Sequence, residues 1–246
     1  MLFLSDLLEK VSDYTCTFPL HNPCMYIDPV IEGVLVEQIY NRPARTCSLT
    51  PEFEPTLRRS VELGRSFVSL EYQKEALPLM LLLKGLMHSM MRYPDAEYFL
   101  GPVSISNSYP KFYQSLMVYY LENMYNARLP EHSAVPSTPF EPDYLRIRPR
   151  DLLRHRMGSI EQFDRFLMRL SDNTYRIPTL VKKYMKVNAR ILAFNVDPLF
   201  NYSLDALILL PIKDYPRAEI RSMTKDVQNP TEREAILNRF GYSLKD

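Results

Sequence analysis

The chain is poor in glycine, cysteine and histidine, and each shortage removes a class of explanation. It has three cysteines, Cys16, Cys24 and Cys47. That is an odd number with no CxxC pair, which argues against a disulfide framework and a zinc knuckle and fits a reducing compartment. The histidines His21, His88, His132 and His155 are scattered, and no HExxH, GxSxG elbow or P-loop is present. No metal site and no bound cofactor are therefore expected. The formal net charge is only +1, so no global field favours nucleic acid, and no nucleic-acid partner is expected. The longest apolar run, residues 76–91, contains Lys84 and His88 and is shorter than the roughly 20 residues that cross a bilayer. MLFLSDLLEK lacks a basic leader, and Asp6 and Glu9 interrupt it, which is not the pattern of a secretory signal. The expectation is a cytoplasmic protein, with peripheral contact at the inner membrane face left open.

What remains is a globular composition, 46% hydrophobic and 24% charged over 246 residues, enough for one domain with decoration or a domain plus a partial one. Residues 2–11 read as a short amphipathic helix, 15–29 as irregular, and GVLVEQIY (33–40) as a strand. SLTPEFEPTLRRS reads as connecting structure and VELGRSFV as a strand. Pro78 opens a helix to about residue 92, apolar nearly all round and so buried on several sides. AEYFLGPVSIS (96–106) is a strand and Pro110 opens the next helix. Strand, helix, strand, helix implies neighbouring parallel strands joined by a crossover. Five prolines between 130 and 150 mark an extended excursion. Ser159 and Gln162 have capping-box spacing before a helix, IPTLVKKYMKV is a short helix, and ARILAFNVD and LDALILLPI form a hairpin. The C-terminal end, with Thr231 and Glu234 at box spacing, is helical.

Within VELGRSFV, strict alternation puts Glu62 and Arg65 on opposite faces. A bulge at Gly64 would bring both to one face; the alternative is that one charge is exposed and Gly64 relieves crowding. The helix start after QKEALP offers free N–H groups, with Gln73 and Lys74 beside them, either as an anion site or as an ordinary solvated end. Ser104, Ser106, Asn107, Tyr109 and Tyr113 gather after the C-terminal end of the next strand, where ligands collect in open α/β sheets; a capped helix start would also explain Asn107 and Ser108. RIRPRDLLRHR carries Arg146, Arg148 and Arg150, either a phosphate or partner contact or a solvated surface. Turn chemistry explains Asp197, Asn201 and Asp205; metal binding is the weaker alternative, because no histidine lies nearby.

The runs ELGRSFV, LPLMLLLKGL, YFLGPVSISNSYPKF and ARILAFNVDPLFNYSLDALILLPI, in this order, resemble the N-acyltransferase region of the hemolysin-like branch of the GNAT superfamily. That branch includes the N-acyltransferases of ornithine-lipid and glycine-lipid synthesis. The resemblance covers roughly residues 50–225 and is nearest to versions in which this region follows a lysophospholipid acyltransferase domain. It implies an α/β (α+β) fold, a mixed sheet splayed between two central parallel strands with helices on both faces. It also implies three parts: residues 1–50, unmatched, read as an incomplete piece of the domain; 51–228, the acyltransferase region; and 229–246, a C-terminal helix.

The resemblance further implies an N-acyltransferase that moves a fatty acyl group from an acyl carrier protein or coenzyme A thioester to the amine of an amino acid or amino-lipid precursor. Glu62 would be the base or amine-orienting acid, Arg65 would hold a substrate anion or lock Glu62, and Tyr113 or Tyr109 would protonate the thiolate. Gly64, Ser66, Val68, Gln73, Lys74, Ser104, Ser106 and Asn107 would line the donor. Where related acetyltransferases carry a glycine-rich Q/R-x-x-G-x-G/A turn, this chain has Gln73-Lys-Glu-Ala-Leu-Pro, which favours a carrier-protein donor over tightly bound coenzyme A. No HxxxxD motif is present. The alternative is a non-catalytic or truncated module that binds acyl groups or a partner protein.

Overall fold

The computed structural model of the chain describes residues 26–28, 47–64, 93–127, 133–143, 148–154, 158–225 and 227–243. The chain divides into two compact units. One comprises Met1–Pro29, Leu63–Asp95 and Arg217–Asp246, the other Val30–Glu62 and Ala96–Pro216.

In the first unit the described elements are a short strand, β1 (Tyr26–Asp28), and two helices near the C-terminus. In the second unit the chain runs β2 (Cys47–Leu49), a 3-10 turn (Pro51–Phe53), α1 (Glu54–Leu57), β3 (Ser60–Gly64), β4 (Tyr98–Ile105) and α2 (Lys111–Tyr125). It continues through β5 (Ala134–Pro136), α3 (Pro149–Leu153), α4 (Ile160–Leu170), α5 (Thr179–Lys186), β6 (Arg190–Asp197) and β7 (Ser203–Pro211). The two helices of the first unit are α6 (Arg217–Met223) and α7 (Pro230–Arg239).

The main sheet is mixed, as the resemblance implies. β3 and β4 are parallel, with Ser60, Val61 and Glu62 opposite Tyr98, Phe99 and Leu100. β4 pairs antiparallel with β7, and β7 antiparallel with β6. β7 is an interior strand of this arrangement and reads SLDALILLP, with every residue from Ser203 to Leu210 buried. A strand covered on both faces has no solvent side to alternate toward, so its aliphatic run is continuous. A register shift between Ile191 and Ala193 bulges β6. β2 and β5 form a separate antiparallel pair.

Alternation sorts the core into two faces. Leu100, Leu207 and Leu209 cluster with Cys47, Phe53 and Leu57, so β2, the 3-10 turn and α1 cover one face. Phe99, Val103, Ile105, Ile191, Phe194, Leu204, Ala206, Ile208 and Leu210 are buried on the opposite face, while α2 packs along β6 and α5 along β4. Tyr120 of α2 stacks on Phe163 of α4 with centroids 3.9 Å apart, and its hydroxyl donates to the Gly158 carbonyl at 2.7 Å. Such a ring pair adds about 0.5–1.5 kcal/mol beyond the area it buries.

The start of α4 forms the expected capping box. Ser159 Oγ accepts from the Gln162 N–H and Gln162 Oε1 accepts from the Ser159 N–H. Several local expectations fail for identifiable reasons. The stretch expected to be irregular through residue 29 contains β1, and the stretch expected to be connecting structure forms β2, a 3-10 turn and α1. Helix α7 is capped two residues before Thr231: the Asn229 side chain accepts from the Thr231 and Glu232 N–H groups, and Pro230 fills the first turn, where it removes no needed donor. Asn107 and Ser108 do not cap α2, whose N-cap is Pro110 with no side-chain bond. Asp205 is no turn residue; it lies within β7. The expected helices at 2–11 and 78–92 and the strand at 33–40 lie outside the described residues.

Candidate functional site

Glu62 sits in β3, and its parallel partner Leu100 places it on the sheet face that α1 and β2 cover. Gly64 ends the strand. Arg65, Ser66, Val68, Gln73, Lys74 and Arg146 lie outside the described residues, and with them the bulge expected at Gly64, which turns on Arg65.

Four residues along β4 from Leu100, on the same face, a polar row crosses the sheet. Ser104 of β4 stands opposite Asp205 of β7, and Asp205 opposite Asn195 of β6. Asp205 and Asn195 are buried, and Ser104 is exposed. The Ser203 hydroxyl donates to Asp205 Oδ1 at 3.0 Å. Burial pushes the Asp205 carboxyl above its usual range, against hydrogen bonds from Ser104 and Ser203 that pull it down. Asn195 Oδ1 accepts from the Thr138 N–H at 2.7 Å, while its Nδ2 is buried without a hydrogen-bond partner. The row thus sets a buried carboxyl, raised above its usual range by burial, behind an exposed hydroxyl.

A cleft of about 510 Å³ opens at the C-terminal end of β4. Asn107, Tyr109 and Lys111 form one wall, Thr138 to Glu141 another, and Val196, Tyr202 and Leu204 of the β6–β7 hairpin a third. Val196 and Leu204 pair with each other, and Leu204 pairs with Ile105, so these residues point away from the Ser104–Asp205 face. Of the seryl and asparaginyl candidates after β4, Asn107 lines this cleft, while Ser106 is tied into the local turn. Its Oγ accepts from the Ser108 N–H at 3.2 Å and lies 2.9 Å from Ser108 Oγ.

The two tyrosine candidates separate. Tyr113 donates its hydroxyl to the Leu170 carbonyl at 3.3 Å and lies 4.7 Å from the Tyr175 ring. Tyr109 lines the cleft, with its ring 5.4 Å from Tyr175. Burial, then the negative charge of Asp164 and the neighbouring Tyr175, raise the Tyr109 phenol above its ordinary value. A phenol so placed stays protonated and is suited to donate. Arg148 is the N-cap of α3 and Arg150 lies in its first turn, both exposed.

Sequence reasoning missed the hairpin tip. Leu199, Phe200 and Tyr202 are exposed although large and apolar. The Leu199 N–H donates to Asp197 Oδ1 and the Phe200 N–H to the Asp197 carbonyl, while the Ser203 N–H donates to the Phe200 carbonyl. Asn201 and Tyr202 both have φ of 51°. These are the central positions of a tight hairpin turn, where Asn followed by Gly is the favoured pair; here tyrosine stands in the glycine place. The available signal was the apolar Leu199-Phe200 pair between Pro198 and Asn201, which the polar turn residues masked. Among the described residues no group of side chains could hold a metal ion, and no helix is long and apolar enough to cross a membrane.

The chain is similar to the glycine N(alpha)-acyltransferase of Bacteroides thetaiotaomicron, 31% identical over 146 residues that cover 56% of this chain and 42% of that protein. It therefore spans less than half the length of this relative. No family model matches the chain, and no solved structure does.

Proposed function

We propose that this chain carries N-acyltransferase chemistry: an acyl group leaves a thioester, on acyl carrier protein or coenzyme A, for the amine of an amino acid or amino-lipid precursor. The observation that carries the reading is the 31% identity over 146 residues to a glycine N(alpha)-acyltransferase. The parallel β3–β4 pair, followed by the antiparallel β7 and β6, is consistent with a GNAT-like sheet and supports the same reading.

In this reading the thioester lies along β4, past Leu100 and toward the C-terminal end of that strand. Glu62 orients or deprotonates the amine, whose nitrogen attacks the thioester carbonyl. The C–N bond forms, the oxyanion collapses, the C–S bond breaks and the thiolate takes up a proton. Tyr109 is better suited than Tyr113 to supply that proton, because Tyr113 already donates to Leu170. Arg65 holds a substrate anion or fixes Glu62, and Arg146, Arg148 and Arg150 are candidate contacts for a phosphate or carrier protein.

The test incubates the purified chain with long-chain acyl carrier protein or acyl coenzyme A and glycine, serine or ornithine derivatives. Thioester loss and N-acyl product are followed by mass spectrometry. Turnover is expected with at least one donor and acceptor pair, and Glu62→Gln should lower it about 100-fold or more. A folded chain that forms no N-acyl product with any pair would overturn the proposal.

A further inference from the structure

We propose that the tip of the β6–β7 hairpin, residues 198–202, is a contact for the lipid interface of a membrane, with the mouth of the adjacent cleft brought to that surface. The inference goes beyond acyl transfer and does not depend on it. Leu199, Phe200 and Tyr202 are 79%, 63% and 60% exposed, so three of the five exposed large hydrophobic residues among those described fall in one turn. Single exposed apolar side chains are ordinary, but a cluster of this kind marks an interaction site.

The turn is built to hold them out. The Leu199, Phe200 and Ser203 N–H groups are all satisfied within the hairpin, by Asp197 Oδ1 at 2.8 Å, the Asp197 carbonyl at 3.2 Å and the Phe200 carbonyl at 3.0 Å. Entry into a poorly hydrated interface would leave none of these donors orphaned. Tyr202 holds a left-handed φ of 51° that glycine would adopt without strain, so the turn geometry does not account for its side chain.

The occupant is a lipid interface rather than another protein. One five-residue turn offers far less than the roughly 800 Å² per partner that stable protein interfaces bury. Two purely apolar side chains beside a tyrosine, whose ring is apolar and whose hydroxyl is polar, match the composition that settles at the headgroup boundary. Tyr202 also lines the cleft, so a tip seated in the headgroups sets the cleft at the surface where an acyl chain or amphiphile would enter or leave.

The chain has no tryptophan, so Phe200→Trp places a single reporter at the tip. With phosphatidylcholine vesicles, alone or with phosphatidylglycerol added, its emission should shift to the blue and be quenched by brominated acyl chains. In co-sedimentation, Leu199→Ser with Phe200→Ser should lower the vesicle-bound fraction about tenfold, with an unchanged circular dichroism spectrum. An unshifted and unquenched reporter would overturn the proposal. So would binding that the double substitution leaves intact, including salt-sensitive binding to anionic vesicles alone. Self-association that the same substitution abolishes, without vesicle binding, would overturn it in favour of a protein partner.

Discussion

Asp164 of α4 is the charged residue whose removal the structure allows to be graded most closely. Its side chain is 5% exposed and takes three donors: Lys182 Nζ at 2.6 Å, the buried Ile177 N–H at 2.9 Å and Arg176 at 3.2 Å. Replacing it with alanine orphans the Ile177 N–H, at about 1–3 kcal/mol, and strips Lys182, which is 22% exposed, of a partner worth about 1 kcal/mol. Arg176 is 57% exposed and adds about 0–1 kcal/mol, as surface pairs do. The expected loss for Asp164→Ala is about 3 kcal/mol, or roughly 6–12 °C in Tm for a chain of this size. Lys182→Met should cost more than Arg176→Met.

Asp164 also sets a pH dependence. Burial pushes its carboxyl up, but the bonds from Lys182, the Ile177 N–H and Arg176 outweigh burial and hold it below the ordinary value of 3.8. The stabilisation is therefore fully present above 3.8 and is lost as pH falls through the lower folded value. Urea unfolding at pH 7 and at steps down through pH 3, followed by circular dichroism, measures both effects. The stability gap between the native chain and Asp164→Asn should close in that acid window. A gap that persists or widens there, or an Arg176 variant that costs as much as the Lys182 variant, would refute the reasoning. The consequence reaches the cleft, because Asp164 fixes Arg176 and Ile177 beside Tyr175, and Tyr175 packs against Tyr109.

Asp205 should behave in the opposite sense. Its carboxyl is raised by burial despite the Ser104 and Ser203 hydroxyls, so the folded state binds its proton more tightly, and stability falls as pH rises from 3.8 through the folded value. Asp205→Asn, which still accepts from both hydroxyls, should be at least as stable as the native chain at pH 7 and lose that pH dependence in thermal melts. Ser159→Ala should cost about 1 kcal/mol in urea unfolding through loss of the α4 capping box, and Ser159→Asp should restore most of it.

Much of the fold was legible because the relevant signals are local. The aliphatic run of β7, the Ser159–Gln162 spacing and the helix opened by Pro110 each name an element without reference to the rest of the chain. β2 and α1 were not legible, because CSL and EPTL are too short to show a period. They exist because Cys47, Phe53 and Leu57 bury against Leu100, Leu207 and Leu209, a tertiary reason. In sequence Asp205 reads as a turn residue because aspartate is common in turns. Its actual place, mid-strand and opposite Ser104, depends on the β4–β7 register, which single-strand patterns do not encode.

The candidate site divides along the same line. Alternation from the observed registers puts Leu100, and with it Glu62 and Ser104, on one face of the sheet, and Leu204 and Val196 of the cleft on the other. A sheet between two groups blocks direct proton transfer, so Glu62 and Tyr109 can serve one reaction only around the end of β4. Tyr109 is placed for that, four residues past Ile105 and before α2 begins, whereas Tyr113 lies within α2 with its hydroxyl turned to Leu170. The sequence grouped both tyrosines with Ser104 because all lie within ten positions. The hydroxyl bond of Tyr113 to Leu170 separates the tyrosines from each other, and strand alternation separates Ser104 from the cleft, so among the described residues the end of β4 is where the two faces come together.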